Sequence, residues 1–258
     1  MPRRRRLSIA GFPHHVVHRG HNRQPVFLAN ADRRIYLAAL ARFKDVFDVK
    51  VYAYCLMTNH VHLILQPSDE GLAISFLMRR LAGRHARRLN VLTGRTGSAW
   101  EGRFKCSPIE TDRYLLACSR YVELNPVRAG IVRRPEDFNW SSYRAKLGLA
   151  RCDWLDADPC FLALGDTVER RRRRYREFVE QAISAEELAT IRTAVQGNQP
   201  TASEERLHDP RDPFGAYAKR PRGRPKMGTG LFSGTRAMFE ESQPISGSTR
   251  DQSAAGGK

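Results

Sequence analysis

The stretch Val49-Lys50-Val51-Tyr52-Ala53-Tyr54-Cys55-Leu56-Met57-Thr58-Asn59-His60-Val61-His62-Leu63-Ile64-Leu65-Gln66-Pro67 decides the fold. Val49 to Met57 is rich in β-branched and aromatic residues, among them Val51, Tyr52 and Tyr54. His60 to Leu65 is a second such run, closed by Pro67. Only the polar Thr58-Asn59 separates the two, which predicts a hairpin. Upstream, His14-His15-Val16-Val17-His18-Arg19-Gly20 is strand-like. Asn30-Ala31-Asp32 then offers a helix cap, followed by Ile35, Leu37, Ala38, Ala41, Phe43 and Phe47 at helical intervals. Downstream, Ser68-Asp69-Glu70-Gly71 opens a second helix that runs to about Leu92, with Leu72, Phe76, Leu77, Leu81 and Leu89 on one side. A glycine-rich loop from Thr93 to Gly102 precedes a short strand from Phe104 to Ile109. Thr111-Asp112 caps a third helix, expected to end before Pro126. The order strand, helix, strand, strand, helix, strand is a split β-α-β pattern. It predicts an α+β fold: an antiparallel sheet with helices on one face.

The composition narrows the class of function. The chain has 258 residues, 44 Lys plus Arg, 27 Asp plus Glu and a formal net charge of +17. Residues 1–150 hold 26 of the basic and only 11 of the acidic side chains, so the excess lies in the front part rather than in a charged tail. That balance points to an anionic partner, most simply nucleic acid. No apolar run reaches the roughly 18 residues a membrane span needs. Met1-Pro2-Arg3-Arg4-Arg5-Arg6 is basic but leads into no apolar stretch, so it does not read as a secretory leader. The five cysteines are odd in number and lack C-x-x-C spacing, against a disulfide scaffold and a four-thiolate zinc site. A cytoplasmic, nucleoid-associated protein is expected.

Two constellations carry chemistry. His60 and His62 stand two apart on a strand, so they share a face, roughly 6.5–7 Å apart at the backbone, and can converge on one divalent ion. Val61, Leu63 and Leu65 point the other way, under the helices. In the third helix, Tyr121 and Asn125 are four apart and lie on one face. An amide oxygen suits Mg²⁺ or Mn²⁺, and a phenol beside it could attack a phosphorus held by the same ion. Tyr114 is the rival nucleophile, but its partner four residues on is Cys118, which offers no hard oxygen. The plainer alternatives are surface histidines on an amphipathic strand and a half-buried packing tyrosine.

Longer strings around these residues resemble a known family. Tyr54-Cys55-Leu56-Met57-Thr58-Asn59-His60-Val61-His62-Leu63-Ile64 resembles the HUH strand (His, bulky apolar, His) of the single-strand tyrosine transposases. Arg120-Tyr121-Val122-Glu123-Leu124-Asn125-Pro126-Val127-Arg128-Ala129-Gly130 resembles the tyrosine helix of one branch, the REP-associated tyrosine transposases. Phe138-Asn139-Trp140-Ser141-Ser142-Tyr143 is also similar to that branch. The tyrosine follows the histidines, as in transposases; in relaxases it precedes them. The resemblance covers residues 8–150 and implies a ferredoxin-like palm. It implies that His60, His62 and Asn125 hold one divalent cation, Mg²⁺ or Mn²⁺, and that Tyr121 is the nucleophile. It further implies cleavage and rejoining of single-stranded DNA at hairpin-forming palindromes through a 5′-phosphotyrosine link.

Three segments follow from this reading: a transposase domain over 1–150, a helical extension over 151–195 and a disordered basic tail over 196–258. Thr167 to Ala194 reads as one helix carrying five consecutive arginines, Arg170 to Arg174. In the tail, Lys219-Arg220-Pro221-Arg222-Gly223-Arg224-Pro225-Lys226 resembles an AT-hook, in which Arg222, Gly223 and Arg224 enter the minor groove of A·T-rich duplex. On the second helix, Arg79, Arg80 and Arg84 are candidates for phosphate contacts, as are Arg87 and Arg88. Two alternatives belong to other classes: a domesticated protein that holds DNA hairpins without cutting, and a hydrolytic metallonuclease that uses water.

Overall fold

The computed structural model describes residues 8–68, 72–110, 113–181, 183–201, 211 and 214. The expected hairpin forms β2 (Val49–Leu56) and β3 (His60–Pro67). β1 (His14–Arg19) pairs with β3 on one side and with β4 (Lys105–Pro108) on the other, giving a sheet of order β2-β3-β1-β4 with every neighbour antiparallel. Placing the first strand in the middle requires two crossovers. These are α1 (Asn30–Val46), between β1 and β2, and α2 (Ala73–Thr93), between β3 and β4.

Both crossover helices lie on one face, as the pattern predicts. Tyr36 and Leu40 of α1 and Ile74, Leu77 and Leu81 of α2 pack on Val16, Tyr54, Leu56, Val61, Leu63 and Leu65. Each such apolar side chain contributes roughly 1.5–3 kcal/mol on burial. Alternation in β2 is interrupted by a bulge between Val51 and Ala53. Before it Val49 and Val51 face the helices; after it Tyr54 and Leu56 do. Tyr52 and Ala53 therefore share the second face, because a bulge sets two residues opposite one.

That second face differs from expectation. The reading of helices on one face leaves the histidine face open, whereas here α3 (Arg113–Glu123) and α8 (Ala185–Gly197) cover it. Leu115, Ala117, Cys118, Val122 and Ile191 pack with Tyr52, Ala53, Cys55 and Ile64. The physical reason lies in β2 and β3 themselves: Ala53, Cys55 and Ile64 are apolar, so both faces of these strands demand a cover.

The helix expected over Thr167 to Ala194 is two helices, α7 (Val168–Glu180) and α8. Thr167 caps the first through Arg170 N–H, and Ser184 caps the second through Glu187 N–H. Ser184-Ala185-Glu186-Glu187 is a capping signature that divides the run. Residues 198–201, expected to lie in a structureless tail, are instead hydrogen-bonded to β4. Thr201 N–H donates to Pro108 O and Glu110 N–H to Thr201 O, while Asn198 Oδ1 accepts from Cys106 N–H. These residues occupy the edge of β4, whose backbone groups would otherwise lack partners. Short helices α4 (Asn125–Arg128), α5 (Tyr143–Lys146) and α6 (Pro159–Leu162) complete the α-helices among the described residues.

Candidate active site

Register builds the histidine group. Across β1 and β3, Arg19 lies opposite His60, Val17 opposite His62 and His15 opposite Ile64. Residues directly opposite share a face, so His15, Arg19, His60 and His62 all lie on the face that α3 covers. The rings of His60 and His62 are 5.0 Å apart at their centroids. The ring of Tyr121, on α3, meets His62 edge-on at 6.1 Å and His15 at 5.6 Å. The expected pair and the expected nucleophile are therefore brought together. Tyr114 lies two helical turns earlier, about 10 Å along the axis, and packs against the apolar cluster beneath α3.

The imidazoles are neutral. Burial lowers His60 to about 4, with the Arg19 charge adding to the effect. Burial holds His62 well below its ordinary value, helped by His15, His60, Arg128 and Arg19. Hydrogen bonds also fix which nitrogen of His60 is free. Asn59 Nδ2 donates to Arg23 O at 3.0 Å, which turns its Oδ1 toward His60 Nδ1, 2.6 Å away. A carbonyl oxygen only accepts, so His60 carries its proton on Nδ1 and keeps a lone pair on Nε2. The Nδ1 of His62 faces His15 Nε2 at 2.9 Å, which leaves Nε2 as its remaining donor atom.

Asn125 is placed by a proline. α3 stops at Glu123 and the chain restarts as α4, with Pro126 in its first turn. Pro126 has no N–H to give Val122 O. The side-chain amide of Asn125 supplies one, donating to Val122 O at 3.2 Å and to Tyr121 O at 3.0 Å. Both amide hydrogens are thus used within the helix, and Oδ1 is the free atom. Among the described residues no group of three or more His, Cys, Asp or Glu could hold a metal. A cation here would need the amide, and the donor set fits: two neutral imidazoles and one neutral oxygen suit a divalent ion and leave its charge undiminished.

Two residues at this site escaped the sequence reading. Arg128, which the sequence pattern gives no role, has its guanidinium 4.4 Å from the centroid of the Tyr121 ring. His15 was read only as a strand residue; its alternation with Val17 and Arg19 was the available signal. Arg79, Arg80 and Arg84 are exposed on α2, on the opposite side of the sheet from the imidazoles, and Arg79 lies over the ring of Phe76. Arg222, Gly223 and Arg224 lie outside the described residues, as does the Arg3–Arg6 arm.

Residues 9–125 match the family model described as "Transposase IS200 like". That span opens just before β1 and closes on Asn125, so it contains both histidines, the tyrosine and the amide. Over this span the chain is similar to the IS200-like transposases. Among solved structures, the chain is similar to a REP-associated tyrosine transposase bound to a REP hairpin. Identity there is 20%, the TM-score is 0.49, and the match covers 62% of this chain and 93% of that one. It is also similar to a candidate transposase from Deinococcus radiodurans R1, with 17% identity, a TM-score of 0.33 and coverage of 52% and 96%. No curated protein matches the chain. Among the described residues no helix is long and apolar enough to cross a membrane.

Proposed function

We propose that this protein is a transposase that cuts and rejoins single-stranded, hairpin-forming DNA through a covalent link to Tyr121. The observation that carries the reading is the edge-on approach of the Tyr121 ring to His62 and His15, on a sheet face where His60 also points. His60 Nε2, His62 Nε2 and Asn125 Oδ1 would hold a Mg²⁺ or Mn²⁺ ion, which draws charge off the scissile phosphate when bound. The Tyr121 oxygen attacks phosphorus and releases its proton to solvent. The P–O3′ bond breaks, and the departing 3′ oxygen takes up a proton. The 5′ phosphate stays on Tyr121. The phosphodiester energy is retained, so a 3′-OH can reverse the step without a nucleotide cofactor. Arg128 and Arg19 place positive charge beside the ring and beside His60, where a phosphate would sit. Arg79, Arg80 and Arg84, on the far layer, are assigned to phosphates away from the cut. Arg222, Gly223 and Arg224 are assigned to A·T-rich duplex, tethering the enzyme and raising its local concentration.

Hairpin oligonucleotides labelled at the 5′ or the 3′ end, incubated with protein and Mn²⁺ and then denatured, test the reading. The expected result is protein bound to the fragment whose 5′ end lies at the cut. Cleavage without an adduct would favour a hydrolytic nuclease, and binding without cleavage a non-catalytic hairpin-holding protein.

A further inference from the structure

We infer that His15 is a positioning residue that holds His62 in the one protonation form able to serve a cation. The inference rests on the reading of His62 as a ligand, proposed above. His15 is fully buried in the central strand β1. Its Nε2 lies 2.9 Å from His62 Nδ1, and its ring stacks on that of His62 with centroids 5.2 Å apart. Its other nitrogen, Nδ1, is buried and has no hydrogen-bond partner.

Two imidazole nitrogens can share a hydrogen bond in only two ways. If His15 donated, His62 would accept on Nδ1 and carry its own proton on Nε2, pointing an N–H instead of a lone pair at the site. If His62 donates, its Nε2 keeps the lone pair, and His15 must carry its proton on Nδ1. The second arrangement leaves the His15 Nδ1–H buried and unpaired. A side chain kept only for packing would gain by being apolar there, because a leucine or phenylalanine has no polar atom to leave unsatisfied. The cost is explained if the hydrogen bond to His62 is the reason for the imidazole. A ligating histidine generally donates its second ring N–H to a fixed partner, which sets its tautomer and ring angle. Asn59 does this for His60, and His15 occupies the equivalent place for His62. Because the His15 ring also meets Tyr121, one side chain sets the angle of a ligand and bounds the position of the nucleophile.

Ring ¹⁵N NMR of the metal-free wild-type chain reads the tautomers directly. The expected result is a proton on Nδ1 of both His62 and His15; a proton on His15 Nε2 overturns the inference. Mn²⁺ binding, followed by electron paramagnetic resonance, is the second readout, on wild type, His62→Ala, His15→Leu and His15→Gln. His15→Leu is expected to weaken Mn²⁺ binding about 10–100-fold. His15→Gln restores it, since its amide oxygen can accept from His62 Nδ1–H. If His15→Leu binds Mn²⁺ like wild type while His62→Ala does not, His15 has no such role and the ligand reading stands. If His62→Ala changes nothing, the ligand reading fails and this inference with it. The tautomer measurement needs no variant, so a poorly folding His15→Leu does not shelter the claim.

Discussion

The hydroxyl of Tyr175, on α7, donates a 2.6 Å hydrogen bond to Glu123, two residues beyond Tyr121 on α3. Glu123 is fully buried, and its other oxygen accepts from Ser142 Oγ and lies 3.4 Å from Lys146 Nζ. Lys146 also pairs with the buried Asp158. One turn earlier, Arg120 pairs with Glu187 of α8, donates to Phe178 O and lies over the ring of Phe178. The C-terminal helices therefore hold the tyrosine helix at Arg120 and Glu123, on either side of Tyr121, and the placement of Tyr121 depends on them.

The buried charges make that grip testable. Removing Lys146 leaves two buried carboxylates without their cation, and breaking a buried pair costs about 3–5 kcal/mol. Lys146→Met is expected to lower unfolding stability by that much in urea titrations. Arg134→Ala, which breaks only exposed pairs to Glu136 and Asp137, is expected to leave the urea midpoint nearly unchanged. Equal effects would contradict the network.

Acid sensitivity follows from the buried imidazoles. Burial lowers His14 from 6.5 to about 4, despite backbone partners that oppose the shift. Between those values the unfolded chain binds a proton that the folded chain refuses, so stability falls as pH drops and is unaffected above about 7. From pH 7 to 5 this one histidine should cost about 2 kcal/mol. Urea melts at the two values should show a smaller loss in His14→Gln than in wild type. An identical loss would show that His14 titrates normally in the folded chain.

Much of this was legible locally. The hairpin, the crossover order and the shared face of His60 with His62 follow from the periodicity of the sequence. What was hidden depends on register between distant strands. Nothing within a few residues of His15 says that it meets His62, and nothing near Arg128 says that it lies on Tyr121. The cover of α3 and α8 was written in the apolar Ala53, Cys55 and Ile64, yet the polar histidines between them suggested an open face. The break between α7 and α8 had a signature at Ser184–Glu187, masked by continuous helical propensity on both sides.

Electrostatics should separate the two arginine groups. If Arg128 sits on a phosphate, Arg128→Ala should weaken hairpin binding and flatten the slope of log affinity against log salt by about one. Replacing Arg79, Arg80 and Arg84 together should flatten it by up to about three if all touch phosphates. A slope unmoved by the triple change would leave α2 as a solvated face.

Peptide mapping of the covalent adduct tests the central claim most directly. Trypsin releases Tyr121 in the peptide ending at Arg128 and Tyr114 in the peptide ending at Arg120. After reaction with a hairpin oligonucleotide and Mn²⁺, followed by nuclease trimming, the account predicts a nucleotide 5′-phosphate on the 121–128 peptide, absent in Tyr121→Phe although that variant still binds the hairpin. Label on the 114–120 peptide, or cleavage that persists in Tyr121→Phe, would contradict it.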